Sequence, residues 1–242
     1  MEPAAKRHAA LRRASRRPPP LSGPRGSRGA ARREPGRSAS AIKRYHDRRA
    51  AEYDATTYER APESPDAAAD LAALTSLVKS LAYERVLDVG CGTGWLTQFL
   101  GGSITVVDQS NRMLARALAR NPGVRSVRAD VPPLPFDHGA FDLVFSSHLY
   151  SHFVGADGRA FFRSECARVA PLLVLVEQAP QPGRERESWE ERRLSDGTAH
   201  SVFKRYLPGA ELAAEVGGSV LLENASFVAV AAGVRAEMQS TG

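Results

Sequence analysis

The stretch VLDVGCGTGWLT, which runs from Val86 to Thr97, decides the fold. Its first four residues predict a buried strand. Gly90, Gly92 and Gly94 follow directly, and the text after them predicts a helix over 95–100. Glycine lets a backbone turn sharply and pass close to a ligand. The pattern therefore predicts a strand, a ligand-binding loop and a helix in that order.

The loop does not favour a dinucleotide phosphate as its ligand. The fingerprint for such a ligand has a glycine where Trp95 stands, and the charge of Asp88 opposes a pyrophosphate. An acid at this place instead suits a ligand that carries a cationic amine or sulfonium.

Strands and helices alternate around this loop. Besides the strand over 86–89, the pattern predicts strands over 103–107, 124–129, 141–146, 172–176, 219–223 and 226–232. Helices are predicted over 41–54, from Ser64 onward, and over 111–120, 159–169 and 210–216. Such alternation indicates an α/β fold with a mostly parallel sheet and helices on both faces. The last two strands are three residues apart and predict an antiparallel hairpin.

The net charge of +6 is concentrated at the N-terminus of the 242-residue chain. Residues 1–40 hold Lys6 and ten arginines against Glu2 and Glu34, which gives +9 there and leaves −3 for the remainder. This segment nearly lacks large apolar residues, so we predict a disordered basic tail over 1–40 and a folded domain over 41–242. A dispensable tail or a false upstream start explains it most simply; an RNA-binding arm and a transit peptide stay open.

Composition also excludes several classes of protein. The chain is 43% hydrophobic, which predicts a globular body, and it has no apolar run long enough for a membrane helix. Cys91 and Cys166 lie far apart, without a Cys-x-x-Cys pattern or Cys/His metal spacing. We expect reduced thiols, no metal and a cytoplasmic location.

Acids end three successive predicted strands or begin the loops that follow them, and with the glycine loop they resemble the class I S-adenosylmethionine-dependent methyltransferases. The resemblance covers most of residues 41–235. In that family the first motif is an acid followed by Gly-x-Gly-x-Gly, as from Asp88 to Gly94, and it wraps around the methionine part of the cofactor. The resemblance implies that Asp108 binds the ribose hydroxyls and that Asp130 faces the adenine amino group. Each acid by itself could be an ordinary strand-end or capping residue.

Further motifs carry the same resemblance. Asp108 to Met113 is similar to the family pattern Asp-x-Ser-x-x-Met, and Pro135 to Ser147 resembles its fourth motif. Before the fifth strand the family usually has Pro-Gly-Gly, where this chain has Val169 to Leu172. The resemblance implies a Rossmann-like three-layer sandwich with a seven-stranded, mostly parallel sheet and a C-terminal antiparallel hairpin. The predicted residues for binding S-adenosylmethionine are Asp88, Gly90, Cys91, Gly92, Gly94, Asp108, Gln109, Met113, Asp130, Val131, Ser146 and Tyr53.

The segment after the fourth strand offers candidate catalytic groups. His148, Tyr150 and His152 would stand next to a reactive methyl group, where each could act as a general base or have a packing role only. Glu177, at the end of the fifth strand, could line the acceptor side or be a plain surface acid. Residues 180–207 interrupt the α/β rhythm with mixed aromatic and basic side chains. They could recognise an acidic or aromatic small molecule, or form a solvated hairpin.

These features predict an enzyme that transfers a methyl group from S-adenosylmethionine to a small-molecule acceptor. The alternatives are an RNA-modifying methyltransferase tethered by the basic tail and a non-catalytic protein that binds the cofactor. The body carries no nucleic-acid-binding module, so nucleic acid is not an expected partner. We expect a monomer or homodimer without membrane attachment.

Overall fold

The computed structural model describes residues 39–59 and 65–233. Residues 1–38, which make up nearly all of the predicted basic tail, lie outside the described ranges, so the tail stays a prediction. Within those ranges, no helix has the length and apolar character needed to cross a membrane. The same residues contain no group of three His, Cys, Asp or Glu side chains suited to a metal ion.

The helices are α1 (Ala39–Arg49), α2 (Tyr53–Thr57), α3 (Pro65–Ser80), α4 (Asn111–Arg120), α5 (Ala156–Val169) and α6 (Gly209–Val216), with short 3₁₀ turns at Thr97–Phe99 and Tyr150–His152. The strands are β1 (Arg85–Val89), β2 (Ser103–Asp108), β3 (Arg125–Arg128), β4 (Leu143–Ser147), β5 (Leu172–Gln178), β6 (Glu187–Arg193), β7 (Ala199–Arg205), β8 (Gly218–Glu223) and β9 (Phe227–Gly233).

Seven of the strands form one sheet in the order β3-β2-β1-β4-β5-β9-β8. All neighbours from β3 to β5 are parallel, and β9 runs antiparallel to both β5 and β8. The predicted sheet and its C-terminal hairpin are confirmed. The strand order reverses between β1 and β4, and ligands of open α/β sheets bind outside the carboxyl ends of the strands at such a point.

The sheet is buried on both faces. Along β5, Leu173 and Leu175 face a core that contains Phe162 of α5 and Leu212 of α6. Val174 and Val176 alternate with them and face the opposite core, which contains Leu74 and Val78 of α3. Because successive side chains of a strand point to opposite faces, this alternation produces the predicted three-layer sandwich.

The predicted helix over 95–100 is wrong in type and length. The structure has only a 3₁₀ turn at Thr97–Phe99, and Gly101 and Gly102 end the segment before β2 begins. Only six residues lie between Gly94 and the pair Gly101-Gly102. This segment is too short for an α-helix, because several turns are needed to offset the free-energy cost of forming the first turn. The predicted ends of β3, β4 and β5 differ from the observed ends by one or two residues.

Candidate active site

A cavity of about 560 Å³ lies at the carboxyl ends of β1, β2 and β4, within the size range of small-molecule sites. Predicted cofactor-binding residues that line it are Tyr53, Gly90, Gly92, Asp108, Gln109, Met113, Asp130 and Val131. His148 and His152, two of the three predicted catalytic residues, line it as well. The fold therefore brings together residues that are as much as 99 positions apart in the sequence, from Tyr53 to His152.

The glycine loop presents bare backbone to this cavity. Gly90 has a φ of +70°, and a Cβ there would lie 2.8 Å from the side chain of Leu149. Gly92 has a φ of +56°, with no atom within 4 Å of the position of a Cβ. At Gly94 a Cβ would lie 2.5 Å from the side chain of Asn121. The first two glycines thus shape the cavity, whereas Gly94 allows close packing against α4.

Asp108, the last residue of β2, is held by two backbone amides. Its Oδ2 accepts a hydrogen bond from the Gly92 amide at 3.0 Å, and its Oδ1 accepts one from the Ser110 amide at 2.8 Å. Ser110 caps α4 by accepting a hydrogen bond from the Met113 amide at 3.2 Å. Burial raises the pKa of Asp108, and the two amide contacts oppose that shift. These contacts tie the acid, the glycine loop and α4 into one unit.

Asp88 lies beneath the loop rather than on the cavity surface. Its Oδ2 accepts a hydrogen bond from the Thr97 hydroxyl at 2.6 Å, while its buried Oδ1 has no partner among the described residues. Burial raises the pKa of Asp88 to about 7, the Thr97 contact opposes the shift, and the nearby Asp108 adds to it. A buried carboxylate with an unsatisfied oxygen fits a ligand that brings a positive charge to the loop.

Cys91 and Ser146 have structural contacts instead of lining the cavity. The Cys91 thiol is buried in a small cluster with Leu114 and Ala117, and burial raises its pKa well above the usual value. The Ser146 hydroxyl donates to the carbonyl oxygen of Val89 at 2.8 Å and so joins β4 to β1. The thiol is protonated at neutral pH and is not a nucleophile.

The fold does not bring Tyr150 to the cavity. Its ring packs against Phe162, and its hydroxyl donates to Glu215 and accepts from Arg163, both at 2.6 Å. These partners belong to α5 and α6. Tyr150 connects those helices, so it has no contact with the cavity through which it could act in catalysis.

The histidines that line the cavity have strongly lowered pKa values. Burial lowers the pKa of His148 to about 3, with smaller contributions from the charges of Lys204 and Arg49. Burial also lowers the pKa of His152, and its Nδ1 donates to the carbonyl oxygen of Phe203 at 2.8 Å. His46 of α1 has a pKa of about 4 for the same reason. All three imidazoles are neutral at pH 7.

His148 shows a second unusual feature. Its backbone has a φ of +55°, which few non-glycine residues adopt. Neither of its ring nitrogens has a hydrogen-bond partner among the described residues, although both are buried. Strained residues with unsatisfied polar atoms cluster at binding and catalytic sites.

Sequence reasoning missed part of the cavity wall. Lys43 lines it beside His46, and Ser147 and Leu149 line it from the end of β4. Lys43 stands three residues before His46 on α1, so a search of that predicted helix for a shared polar face could have found it. No signal marks Leu149, because its position depends on the turn after β4.

A second cavity of about 750 Å³ adjoins the first, and Tyr53 and His148 line both. Residues 180–207, for which the sequence left a ligand-binding surface and a solvated hairpin open, contain the antiparallel pair β6–β7, and this hairpin forms part of the second cavity's wall. Glu177 is only 5% exposed, so its reading as a plain surface acid is wrong. Its Oε1 accepts from the Ser151 amide at 3.0 Å.

Comparison with known proteins supports the same type of site. Residues 87–171 match a family model described as a methyltransferase domain. The malonyl-[acyl-carrier protein] O-methyltransferase of Enterobacter lignolyticus is 35% identical over 78 residues, which are 31% of each chain. A phthiotriol/phenolphthiotriol dimycocerosates methyltransferase of Mycobacterium tuberculosis is 36% identical over 126 residues, 48% of this chain and 45% of that one. The chain thus spans less than half the length of these curated relatives.

A solved structure described as a complex of DhpI with SAM and HEP matches over more of the fold. It has a TM-score of 0.64 and 27% identity, and the match covers 82% of this chain and 98% of that one. The sheet order and the glycine-loop cavity define a Rossmann-like α/β protein with a nucleoside-type site. These similarities support the assignment to the class I S-adenosylmethionine-dependent methyltransferases.

Proposed function

We propose that this chain transfers the methyl group of S-adenosylmethionine to a small-molecule acceptor and releases S-adenosylhomocysteine. The observation that carries the proposal is the joint placement of Gly90, Gly92, Asp108 and Asp130 around one cavity of about 560 Å³. A glycine loop tied by its backbone to a strand-end acid fits a ligand that joins a ribose to a cationic chain.

Each part of the cofactor has a matching group in this proposal. The backbone of the glycine loop holds the methionine part, and the unsatisfied oxygen of Asp88 lies beneath it. Asp108 accepts from the ribose hydroxyls, and Asp130 and Val131 bind the adenine end of the cavity. When bound, the cofactor supplies a sulfonium methyl that is already electrophilic.

The chain's own residues then have to bind, orient and shield the acceptor. Tyr53 and His148 stand where the two cavities meet, so the acceptor reaches the cofactor cavity past these side chains. The neutral His148 can donate or accept one hydrogen bond there without adding charge. His152 is positioned by its contact with Phe203 and is the second candidate for proton removal.

The identity of the relatives supports a small-molecule acceptor. One relative is named for malonyl-[acyl-carrier protein], an acyl group carried on a protein, and another for phthiotriol and phenolphthiotriol dimycocerosates; neither name refers to RNA. We extend the proposal to a cytoplasmic monomer or homodimer whose domain covers residues 41–242. The RNA-modifying alternative depends on the basic residues 1–38, which lie outside the described ranges, and no described contact favours it.

The test combines binding with turnover. Calorimetric titration of the full chain with S-adenosylmethionine and with S-adenosylhomocysteine should give one saturable site. Incubation with methyl-labelled cofactor and a metabolite extract should then move label into a small molecule. Binding without transfer to any fraction would favour a non-catalytic cofactor-binding protein, and transfer only to RNA would favour the tethered enzyme. Lack of cofactor binding would refute the proposal.

A further inference from the structure

The second cavity, which we call the acceptor cavity, is lined by four cationic side chains. They are Arg49, Arg184, Arg192 and Lys204. No Asp or Glu lines the acceptor cavity within the described ranges. A concave surface with charge of one sign favours a ligand of the opposite sign.

Two of these cations share a carboxylate. Arg192 Nη2 lies 2.5 Å from an oxygen of Glu190, and Arg184 Nη1 lies 3.8 Å from the other oxygen. Arg184 also donates to the Tyr206 hydroxyl at 2.8 Å. The hairpin therefore supplies one compensating negative charge for two positive charges.

The other two cations form no direct ion pair with a carboxylate in the described part of the chain. Arg49 donates to the hydroxyls of Tyr45 at 2.9 Å and Thr57 at 3.2 Å, and its guanidinium lies 4.6 Å from the ring centroid of Tyr53. Lys204 is only 8% exposed, and the charges of Glu177 and Glu190 raise its pKa while those of Arg192 and Arg49 lower it. A buried ammonium is costly, and an anionic ligand would add to the partial compensation that these carboxylates give.

The charges of Arg49 and Lys204 both act at the junction of the two cavities. Lys204 and Arg49 each lower the pKa of His148 in addition to the effect of burial, and His148 lines both cavities. Within the described ranges, the buried ring nitrogens of His148 have no hydrogen-bond partner, and neither has the Oε1 of Gln178, which lines the acceptor cavity. The junction thus offers positive charge together with unsatisfied polar atoms.

Another part of the acceptor cavity's lining is aromatic and apolar. Tyr58 stacks on Trp95 with ring centroids 4.4 Å apart and an interplanar angle of 8°. Leu71 and Phe99 extend this wall. A ligand that fills the acceptor cavity would therefore have an anionic group at one end and an apolar body behind it.

We propose that the methyl acceptor is an oxyanion, a carboxylate or a phosphonate or phosphate ester, held by Arg49 and Lys204 with its apolar body against Tyr58 and Trp95. This inference rests on the proposed methyltransferase function and specifies its substrate class. An oxygen of the bound anion is the atom that becomes methylated, because the cations lie at the junction with the cofactor cavity.

The transfer balances without a proton acceptor. The anionic oxygen forms the new oxygen–carbon bond while the carbon–sulfur bond breaks, and the sulfur keeps that electron pair as a neutral thioether. One negative charge on the acceptor and the positive charge of the sulfonium disappear together. Neutral histidines at the junction suit this reaction, since their task is then to orient the acceptor and exclude water.

The first experiment measures binding instead of turnover. Benzoate, phenylphosphonate and the uncharged benzamide are titrated calorimetrically into the full chain, with and without S-adenosylhomocysteine. At least one anion should bind about tenfold or more tightly than benzamide, as expected for charge-assisted hydrogen bonds. A preference for benzoate indicates carboxylate acceptors, and a preference for phenylphosphonate indicates phosphorus oxyanions.

Variants identify the groups responsible. Arg49→Met and Lys204→Met should each weaken binding of the preferred anion by about tenfold while changing benzamide and S-adenosylhomocysteine affinity by less than about twofold. Arg48→Met is the matched control, because Arg48 precedes Arg49 on α1 but lies at the surface and is absent from the acceptor cavity. Lys204→Arg should retain anion binding. Lys204→Met also removes the charge that lowers the pKa of Glu177, so a thermal unfolding curve checks that this variant folds.

The proposal is overturned if neither anion binds more tightly than benzamide, or if Arg48→Met weakens anion binding as much as Arg49→Met does. Cofactor binding and labelled transfer would still stand in that case, because neither depends on the charge of the acceptor. Loss of S-adenosylhomocysteine binding in the native chain would instead be a failure of the proposed function. The two failures are therefore distinguishable.

Discussion

Asp108→Asn is the sharpest test of how the cofactor is held. In the native chain both carboxylate oxygens accept backbone hydrogen bonds, from Gly92 at 3.0 Å and from Ser110 at 2.8 Å, while the group faces the cavity. The amide retains one acceptor oxygen and loses the negative charge. Loss of one charge-assisted hydrogen bond to the ribose costs about 1.5–3 kcal/mol, which corresponds to about a tenfold to 150-fold weaker Kd.

The assay is calorimetric titration of the full chain with S-adenosylhomocysteine, accompanied by a thermal unfolding curve for each variant. Asp142→Asn is the matched control. Asp142 accepts hydrogen bonds from the Arg85 backbone amide at 2.9 Å and the Arg85 guanidinium at 2.6 Å, and it does not line the cavity. It should change ligand affinity by less than about twofold. A folded Asp108→Asn protein with native affinity would refute the ribose assignment.

Three further perturbations test the site and its surroundings. Since the pKa of Asp88 is raised to about 7, the affinity for S-adenosylmethionine measured by titration should increase from pH 6 to pH 8 as the carboxylate ionises, and Asp88→Asn should flatten this profile. Gly90→Ala should lower the melting temperature more than Gly217→Ala does. Both positions have a φ near +70°, but only at Gly90 would the added Cβ meet a neighbouring side chain, that of Leu149 at 2.8 Å. Equal shifts in melting temperature would contradict this steric argument. Removing residues 1–38 should leave labelled transfer to small molecules within about twofold of the native value, and its collapse with cofactor binding intact would favour the tethered RNA enzyme.

The fold could be predicted because the apolar runs, the helical periodicity and the glycine positions all indicate the same structure. Strand-length apolar runs alternate with helical periodicity, and the three glycines mark the first loop without ambiguity. Asp108 was predictable for a similar reason, since an acid that ends a parallel strand must lie at the carboxyl edge of the sheet. The structure of residues 95–100 could not be predicted, because the apolar pattern indicated a helix, whereas the short segment before Gly101 and Gly102 allows only a 3₁₀ turn.

The turn after β4 shows where sequence reasoning stopped. His148, Tyr150 and His152 are evenly spaced, and the sequence alone gives no reason to assign one of them rather than another to the cavity. The structure separates them because the short 3₁₀ turn directs Tyr150 toward α5 and α6, whereas the two histidines face the cavity. Irregular turns of three residues have no periodicity from which the direction of a side chain can be predicted.

The acceptor cavity depends on segments that no local pattern connects. Arg49 comes from α1 and Lys204 from β7, and only the packed fold places both near His148. Burial lowers the pKa of Lys204 to about 8. The charges of Arg192 and Arg49 lower this pKa further, whereas those of Glu177 and Glu190 raise it. Because this pKa lies below the ordinary value of 10.5, the buried ammonium costs stability fully below pH 8, and the cost disappears above pH 10.5. At neutral pH the chain therefore bears that cost with the ammonium charged, and an oxyanion bound at the junction would add to the partial relief that Glu177 and Glu190 give.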